Sequence, residues 1–249
     1  CTEKPMALNQ FDAEKMISIC KQANVKLFVV KQNRLNPTLQ ILKKKVEEKE
    51  FGNIAIVDIN VFWQRPQTYY DQDTWRGTKE YDGGALLNQA SHYVDLLEWI
   101  IGPLEGLFAT VSTISRQIEV EDTAVLQLKW KNGALGSMSV TMITYPKNIE
   151  GSITIIGDKG SAKVGGVAVN EFEFSYFENE KGEQTLSEYN YKTDSVYGFG
   201  HNYYYQNMLD NLETNEKAIC DGESGLSSIK IINAAYKSSK EKRFIKFIV

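Results

Sequence analysis

Histidine, cysteine, clustered basic charge and long hydrophobic runs are all scarce in this 249-residue chain, and each shortage removes a class of function. The only two histidines are His92 and His201, so proton transfer near neutral pH has few candidates, of which His92 is the better placed. The three cysteines, Cys1, Cys20 and Cys220, make no pair with metal or redox spacing. No disulfide framework or zinc site is expected, and an odd count fits reduced thiols in a cytoplasm. No apolar run approaches the roughly 18–20 residues that cross a bilayer. With a net charge of −4, and Lys43-Lys44-Lys45 reading as a solvated helix face, no nucleic-acid partner is expected. A Gly-x-Gly-x-x-Gly turn is also missing, and with it the usual cradle for a dinucleotide pyrophosphate.

What is present suits a globular body, with 42% hydrophobic and 24% charged residues. Residues 12–23 read as a short amphipathic helix with Met16, Ile17, Ile19 and Cys20 inward, and 25–30 as an apolar strand. A second helix is expected over 37–51, stopped by Gly52, and a strand over 54–63. The long polar loop 64–81 carries Tyr69, Tyr70, Trp75 and Arg76. After Gly102 the period becomes two: 124–131 and 137–142 alternate apolar and polar residues around Asn132-Gly133, a hairpin signal. Further strands are expected at 152–156, 161–164, 171–177 and 185–191, then helices at 200–213 and 224–240 and a short strand at 244–249. The Tyr203-Tyr204-Tyr205 cluster reads as helix packing.

The segment from Asp82 to Asp95, Asp-Gly-Gly-Ala-Leu-Leu-Asn-Gln-Ala-Ser-His-Tyr-Val-Asp, carries the chemistry. On a continuous helix Asn88 and His92 are i and i+4 and Asp95 is i+3 from His92, so the three share one face. Apolar residues fill the rest of the circumference. Asp95 would then orient the His92 ring, either for catalysis or as a structural core pair. At the other end of the chain, Glu3-Lys4-Pro5 places a lysine before a helix, where it can point into a cleft.

Together, Glu3-Lys4-Pro5 and the Gly-Gly…Asn…His…Asp segment resemble the glucose-fructose oxidoreductase/inositol dehydrogenase family (Gfo/Idh/MocA) of NAD(P)-dependent sugar and polyol dehydrogenases. The resemblance runs along the whole chain, through Lys31-Gln32-Asn33-Arg34, Trp75-Arg76-Gly77 and Gly222-Glu-Ser-Gly225. Lys-Gln-Asn-Arg and Asn88-Gln89 look most like the branch acting on UDP-N-acetylglucosamine or its uronate in surface-polysaccharide synthesis. Many relatives have Asp where this chain has Asn88.

The resemblance implies an α+β fold: a large, mostly antiparallel sheet with helices on one face, preceded by an α-β remnant of a dinucleotide-binding Rossmann domain. Residues 1–31 would be that remnant, and 32–249 a substrate-binding and oligomerisation domain. The chain would be the C-terminal part of a longer enzyme and inactive alone, because NAD or NADP is held mainly by the missing domain. The implied reaction is oxidation of a secondary sugar hydroxyl, the 3-hydroxyl of a UDP-N-acetylhexosamine or its uronate. A free-sugar or inositol dehydrogenase and a non-catalytic sugar sensor are the alternatives. Lys4, His92 and Asp95 are the expected catalytic residues, with His92 taking the hydroxyl proton or Lys4 acting as base. Glu3, Lys4, Pro5 and Gln32 would border the cofactor, while Gln32, Arg34, Trp75, Arg76, Asn88 and His201 would contact substrate. No metal is expected, and a homo-oligomer would form through the open sheet face.

Overall fold

The computed structural model describes residues 1–179, 186–214 and 216–247. Its centre is an eight-stranded sheet. The strands are β1 (Ile54–Phe62), β2 (Leu104–Ser112), β3 (Thr123–Trp130), β4 (Leu135–Thr141), β5 (Glu150–Gly157), β6 (Gly160–Gly165), β7 (Glu171–Phe177) and β8 (Ile245–Lys246). They lie in the order β7-β6-β5-β1-β4-β3-β2-β8, and only β1 and β4 run parallel. The Asn132-Gly133 turn joins β3 to β4 as expected, with Gly133 at a φ of 94° that glycine adopts without strain. Strand β2 had no expected counterpart, because Leu104-Glu-Gly-Leu-Phe-Ala-Thr does not alternate cleanly. Of the expected 185–191 strand, Thr185 lies outside the described residues, and Ser187–Tyr189 form a 3₁₀ turn instead.

Strand alternation selects one face. Val57, Ile59, Val61, Ala124, Leu126, Leu128, Trp130, Met138 and Val140 are buried, whereas Asp58, Asn60, Gln127 and Ser137 face the other way. Against the buried face pack α1 (Gln10–Gln22), α2 (Pro37–Glu47), α4 (Gly84–Leu87), α5 (Ser91–Ile101), α6 (Gly200–Thr214) and α7 (Gly222–Glu241), directly or through one another, while the short α3 (Gln67–Tyr70) lies in the loop after β1. Trp130 fixes α5 on the sheet through its indole N–H, which donates to Leu97 O at 3.1 Å. Among the three tyrosines of α6, Tyr204 alone packs inward, its hydroxyl donating to Val29 O at 2.6 Å, whereas Tyr203 and Tyr205 are exposed.

Two expectations fail near the N-terminus. Residues 25–30 form no full strand: Val29 bridges Thr2 and Phe28 bridges Asp221, and nothing continues either ladder. In α1 only Ala13 and Ile17 are buried, whereas Ile19 is exposed. Met6, Ala13, Ile17, Val29 and Val30 nevertheless join the same hydrophobic core as the sheet, so residues 1–31 are welded to the rest rather than linked to it.

The single parallel pair depends on a close approach. Gly136 lies against β1 so tightly that an added Cβ would stand 2.0 Å from Val57 O and 2.9 Å from the Trp130 ring. Gly136→Ala is therefore expected to lower unfolding free energy by about 1–3 kcal/mol in urea titration, by forcing β1 and β4 apart. An unchanged midpoint would show that the pair tolerates wider spacing.

Candidate functional site

The Asp82–Asp95 segment is not one helix. It folds as α4, a turn at residues 88–90, and then α5. Gly83 and Gly84 enter α4 with φ of 76° and 91°, a left-handed pair that side chains resist. At the far end the Ala90 amide reaches back to Ala85 O at 2.8 Å, one residue beyond helical spacing. The break rotates Asn88 off the stripe that carries His92 and Asp95. The three residues therefore serve three partners.

Asn88 belongs to Lys4. The lysine ammonium donates to Asn88 O at 2.8 Å and to Oδ1 at 3.3 Å, while the Asn88 amide donates to Asp82 Oδ1 at 2.5 Å. Asp82 accepts in addition from the Gly77 amide at 2.6 Å. Burial, helped by the charge of Lys31, pulls the Lys4 pKa down to about 8 against the opposing charges of Glu3 and Asp82.

His92 belongs to Gln32. The Gln32 side-chain amide donates to His92 Nε2 at 3.2 Å, which places the ring proton on Nδ1. Neither Nδ1 nor Gln32 Oε1 has a partner, although both are buried. Burial, and then the positive charges of Lys4, Lys31 and His201, hold His92 well below its ordinary pKa. The ring is neutral at physiological pH.

Asp95 does not touch His92, contrary to the helix-face expectation. Its carboxylate is gripped bidentately by Arg34, Nε to Oδ2 at 2.7 Å and Nη2 to Oδ1 at 2.8 Å, with Lys31 Nζ 3.8 Å away. Burial alone would raise the Asp95 pKa, but Arg34 and Lys31 drive it below the ordinary value. Arg34 also donates to Ile219 O at 2.9 Å and Ser224 Oγ at 2.8 Å and lies over the Trp99 ring. It is a structural clamp, spent on protein groups rather than open to a phosphate or carboxylate. The reason is burial, since a guanidinium taken out of water bonds whatever carboxylate it is buried with.

The remaining expected residues are dispersed. Arg76 pairs with Asp73 at 2.7 Å, packs over Tyr69 and Trp75, and lines a groove with Tyr70, Gly77, Thr78 and Ile118 that includes neither Lys4 nor His92. Trp75 is half-exposed on that loop. His201 stands at the start of α6, edge-on to Tyr197, and is close enough for its charge to act on His92. Glu3 is exposed and Pro5 follows Lys4 through a cis peptide.

Sequence reasoning gave no role to Lys31, whose fully buried ammonium donates to Ser228 Oγ at 3.0 Å and to Ser91 Oγ at 3.4 Å. The only available signal was a lysine directly after an apolar run. Glu121, a buried acid beside the Gly83-Gly84 turn, was also missed. Among the described residues no group of three or more His, Cys, Asp or Glu could hold a metal, and no helix is long and apolar enough to cross a membrane.

The arrangement is thus a neutral imidazole and a depressed lysine near one another, bordered by unpartnered polar atoms. Known proteins share this body. Residues 43–247 match the Gfo/Idh/MocA model described as the oxidoreductase family C-terminal α/β domain. The WlbA dehydrogenase of Bordetella pertussis, crystallised with NADH and UDP-GlcNAcA, is 50% identical with a TM-score of 0.94 over 99% of this chain and 72% of its own. The WlbA enzyme of Chromobacterium violaceum, with the same two ligands, is 50% identical at a TM-score of 0.91 over 100% and 70%. The myo-inositol 2-dehydrogenase of Thermotoga maritima is 27% identical over 98% of this chain and 71% of its length.

Removing the clamp tests the geometry. Arg34→Met leaves the Asp95 carboxylate buried beside Lys31 alone and should cost about 3–5 kcal/mol of stability, read by chemical denaturation at pH 7. Because the folded Asp95 pKa lies below its unfolded value, the wild-type advantage is present above the ordinary carboxylate range and disappears as pH falls through the folded pKa. A variant as stable as wild type at pH 7 would show that Arg34 and Asp95 are not a buried pair.

Proposed function

The chain belongs to the Gfo/Idh/MocA oxidoreductase family, and from that premise we propose that it is the substrate-binding part of an NAD-dependent dehydrogenase of nucleotide sugars. It oxidises a secondary hydroxyl, in our reading the 3-hydroxyl of a UDP-N-acetylhexosamine or its uronate, on a route to surface polysaccharide. The observation that carries this reading is the half-identity, sustained over 99% of the chain, with an enzyme that binds NADH and UDP-GlcNAcA. The free-sugar and inositol alternatives rest on relatives near a quarter identical.

The residues on hand fit a nicotinamide and a hydroxyl-bearing sugar. Gln32 Oε1 and His92 Nδ1 are buried atoms lacking partners, one an acceptor and the other a donor, and hydroxyl groups satisfy both kinds. Glu3, Lys4, Pro5 and Gln32 would border the nicotinamide. A bound nicotinamide supplies the hydride acceptor. Lys4 is our choice for the base: its neutral amine, accessible near pH 8, takes the hydroxyl proton as the C–H hydride departs. His92, kept neutral by burial and by the charges of Lys4 and Lys31, holds the same oxygen by a hydrogen bond, and Asn88 orients Lys4. The sequence left the base open between His92 and Lys4.

Residues 1–31 we read as the closing part of a nucleotide-binding domain, and the compartment as cytoplasm. A second copy is proposed to cover the open sheet face, where Ile56, Val125 and Leu135 stand exposed among polar groups such as the Asp58–Ser137 pair.

In the active enzyme containing this chain, kcat/KM should rise with pH through about 8 as Lys4 loses its proton. Lys4→Met should lower kcat by about 10²–10⁴-fold. Steady-state kinetics with NAD and the nucleotide sugar decide the matter: a flat profile between pH 7 and 9, or a fully active Lys4→Met, removes Lys4 from the reaction. For the assembly, Val125→Glu combined with Leu135→Glu should shift the sedimentation mass to that of a monomer. Retention of the oligomer would place the interface elsewhere.

A further inference from the structure

Beyond the Lys4 site, a second set of contacts converges on the Gly83-Gly84 turn. Glu121, in the loop before β3, accepts from the Leu86 amide through Oε1 at 2.9 Å, and its own carbonyl accepts from the Ala85 amide at 3.1 Å. Tyr236, from the middle of α7, places its hydroxyl 2.6 Å from Gly83 O and 3.0 Å from Glu121 Oε1. A Cβ on Gly84 would stand 2.0 Å from Glu121 Oε2, so the second glycine is what lets the carboxyl reach the turn. Three backbone groups of one turn, Gly83 O and the Ala85 and Leu86 amides, are therefore held by Glu121 and Tyr236.

Gly83 and Leu87 border a cavity of about 400 Å³ shared with Leu8, Val111, Glu121 and Tyr236. Asn88, which closes α4, supplies both acceptors of the Lys4 ammonium, so a shift of the turn moves those acceptors directly.

We propose that Glu121 and Tyr236 are positioning residues, a latch that sets where Asn88 presents its oxygens and hence where Lys4 sits. This rests on Lys4 being the reacting base. Proton bookkeeping agrees with the geometry. Tyr236 has one proton and two acceptors, so both contacts are made at once when the carboxyl is protonated and donates to the tyrosine oxygen. Burial and the charge of Asp82 raise the Glu121 pKa to about 7 against the Leu86 amide and Tyr236, so the protonated form is well populated at neutral pH.

The test is Tyr236→Phe, with Glu121→Asp as a second probe that withdraws the carboxyl by one methylene without deleting it. Two readouts are needed: the Lys4 titration midpoint, followed by heteronuclear NMR of its side chain in this chain, and kcat against KM in the active enzyme. Loosening the latch should admit water to Lys4 and move its midpoint upward from about 8 by half a unit or more. It should lower kcat about tenfold with KM within about twofold, the pattern of a misplaced reacting group. Glu121→Gln, which keeps an acceptor for Leu86, should recover most of the rate.

A drop in thermal stability with both the Lys4 midpoint and kcat unchanged in Tyr236→Phe and Glu121→Asp overturns the proposal and leaves a purely structural contact. If the midpoint moves in an enzyme that proves inactive on nucleotide sugars, the latch stands and the substrate reading falls.

Discussion

The bidentate grip of Arg34 on Asp95 organises the rest of the site. It ties the 3₁₀ turn Gln32–Leu35 to the first turns of α5, and Gln32 and His92 stand on those two elements. Gln32 precedes Arg34 by two residues and Asp95 follows His92 by three, so fixing the ion pair brings the Gln32 amide against the His92 ring. The guanidinium reaches onward to Ile219 and Ser224, which adds the start of α7 to the same knot. A buried pair of this kind is weak evidence for stability but good evidence for register, because sliding either element by one residue leaves a charge without a partner in the core. The pair specifies geometry, and a hydride-transfer site depends on geometry.

Charge balance near that knot explains how two basic groups remain ready for chemistry at neutral pH. Asp95 offsets one cation, yet Arg34 and Lys31 both lie against it, leaving the neighbourhood positive. Lys4 and His92 titrate within that excess field and inside a largely buried environment, and both effects disfavour their protonated forms. Asn88 continues the same pattern. An amide still accepts from Lys4 without contributing a negative charge that would raise its pKa. The positive excess also suits an anionic substrate, which is consistent with a uronate or diphosphate rather than with a neutral polyol.

Much of the fold was legible in the chain, because its signals are local. Asn132-Gly133 announced a hairpin, period-two alternation marked β3 and β4, and Gly102 caps α5, whereas α2 ends at Glu47, short of the expected stop at Gly52. Strand β2 escaped because its apolar residues do not alternate, and residues 25–30 look like a strand in isolation but find only single bridging partners. The site was half legible. Residue types and order pointed to Lys4, His92 and Gln32, but the partners of Asp95 and Asn88 were assigned from an unbroken helix. The break after α4 is written in contacts from residues 35 to 150 positions away, Glu121 and Tyr236 among them, which no helical periodicity encodes.

That break has a physical rationale of its own. A continuous helix from Gly84 to Ile101 would set Asn88, His92 and Asp95 in one column, where the nearest partner of each is another member of the column. Asp95 beside His92 would raise the imidazole pKa and favour the imidazolium, while Asn88 would turn from Lys4 toward His92. Interrupting the helix at residues 88–90 takes Asn88 out of that column and gives it to Lys4, while His92 and Asp95, both on α5, are held by Gln32 and Arg34 of one 3₁₀ turn. The two left-handed glycines and the carboxyl behind them are the local means of holding α4 at the angle this requires. Strain in one short turn thus keeps Asn88 on Lys4 and off the helix face that carries His92 and Asp95.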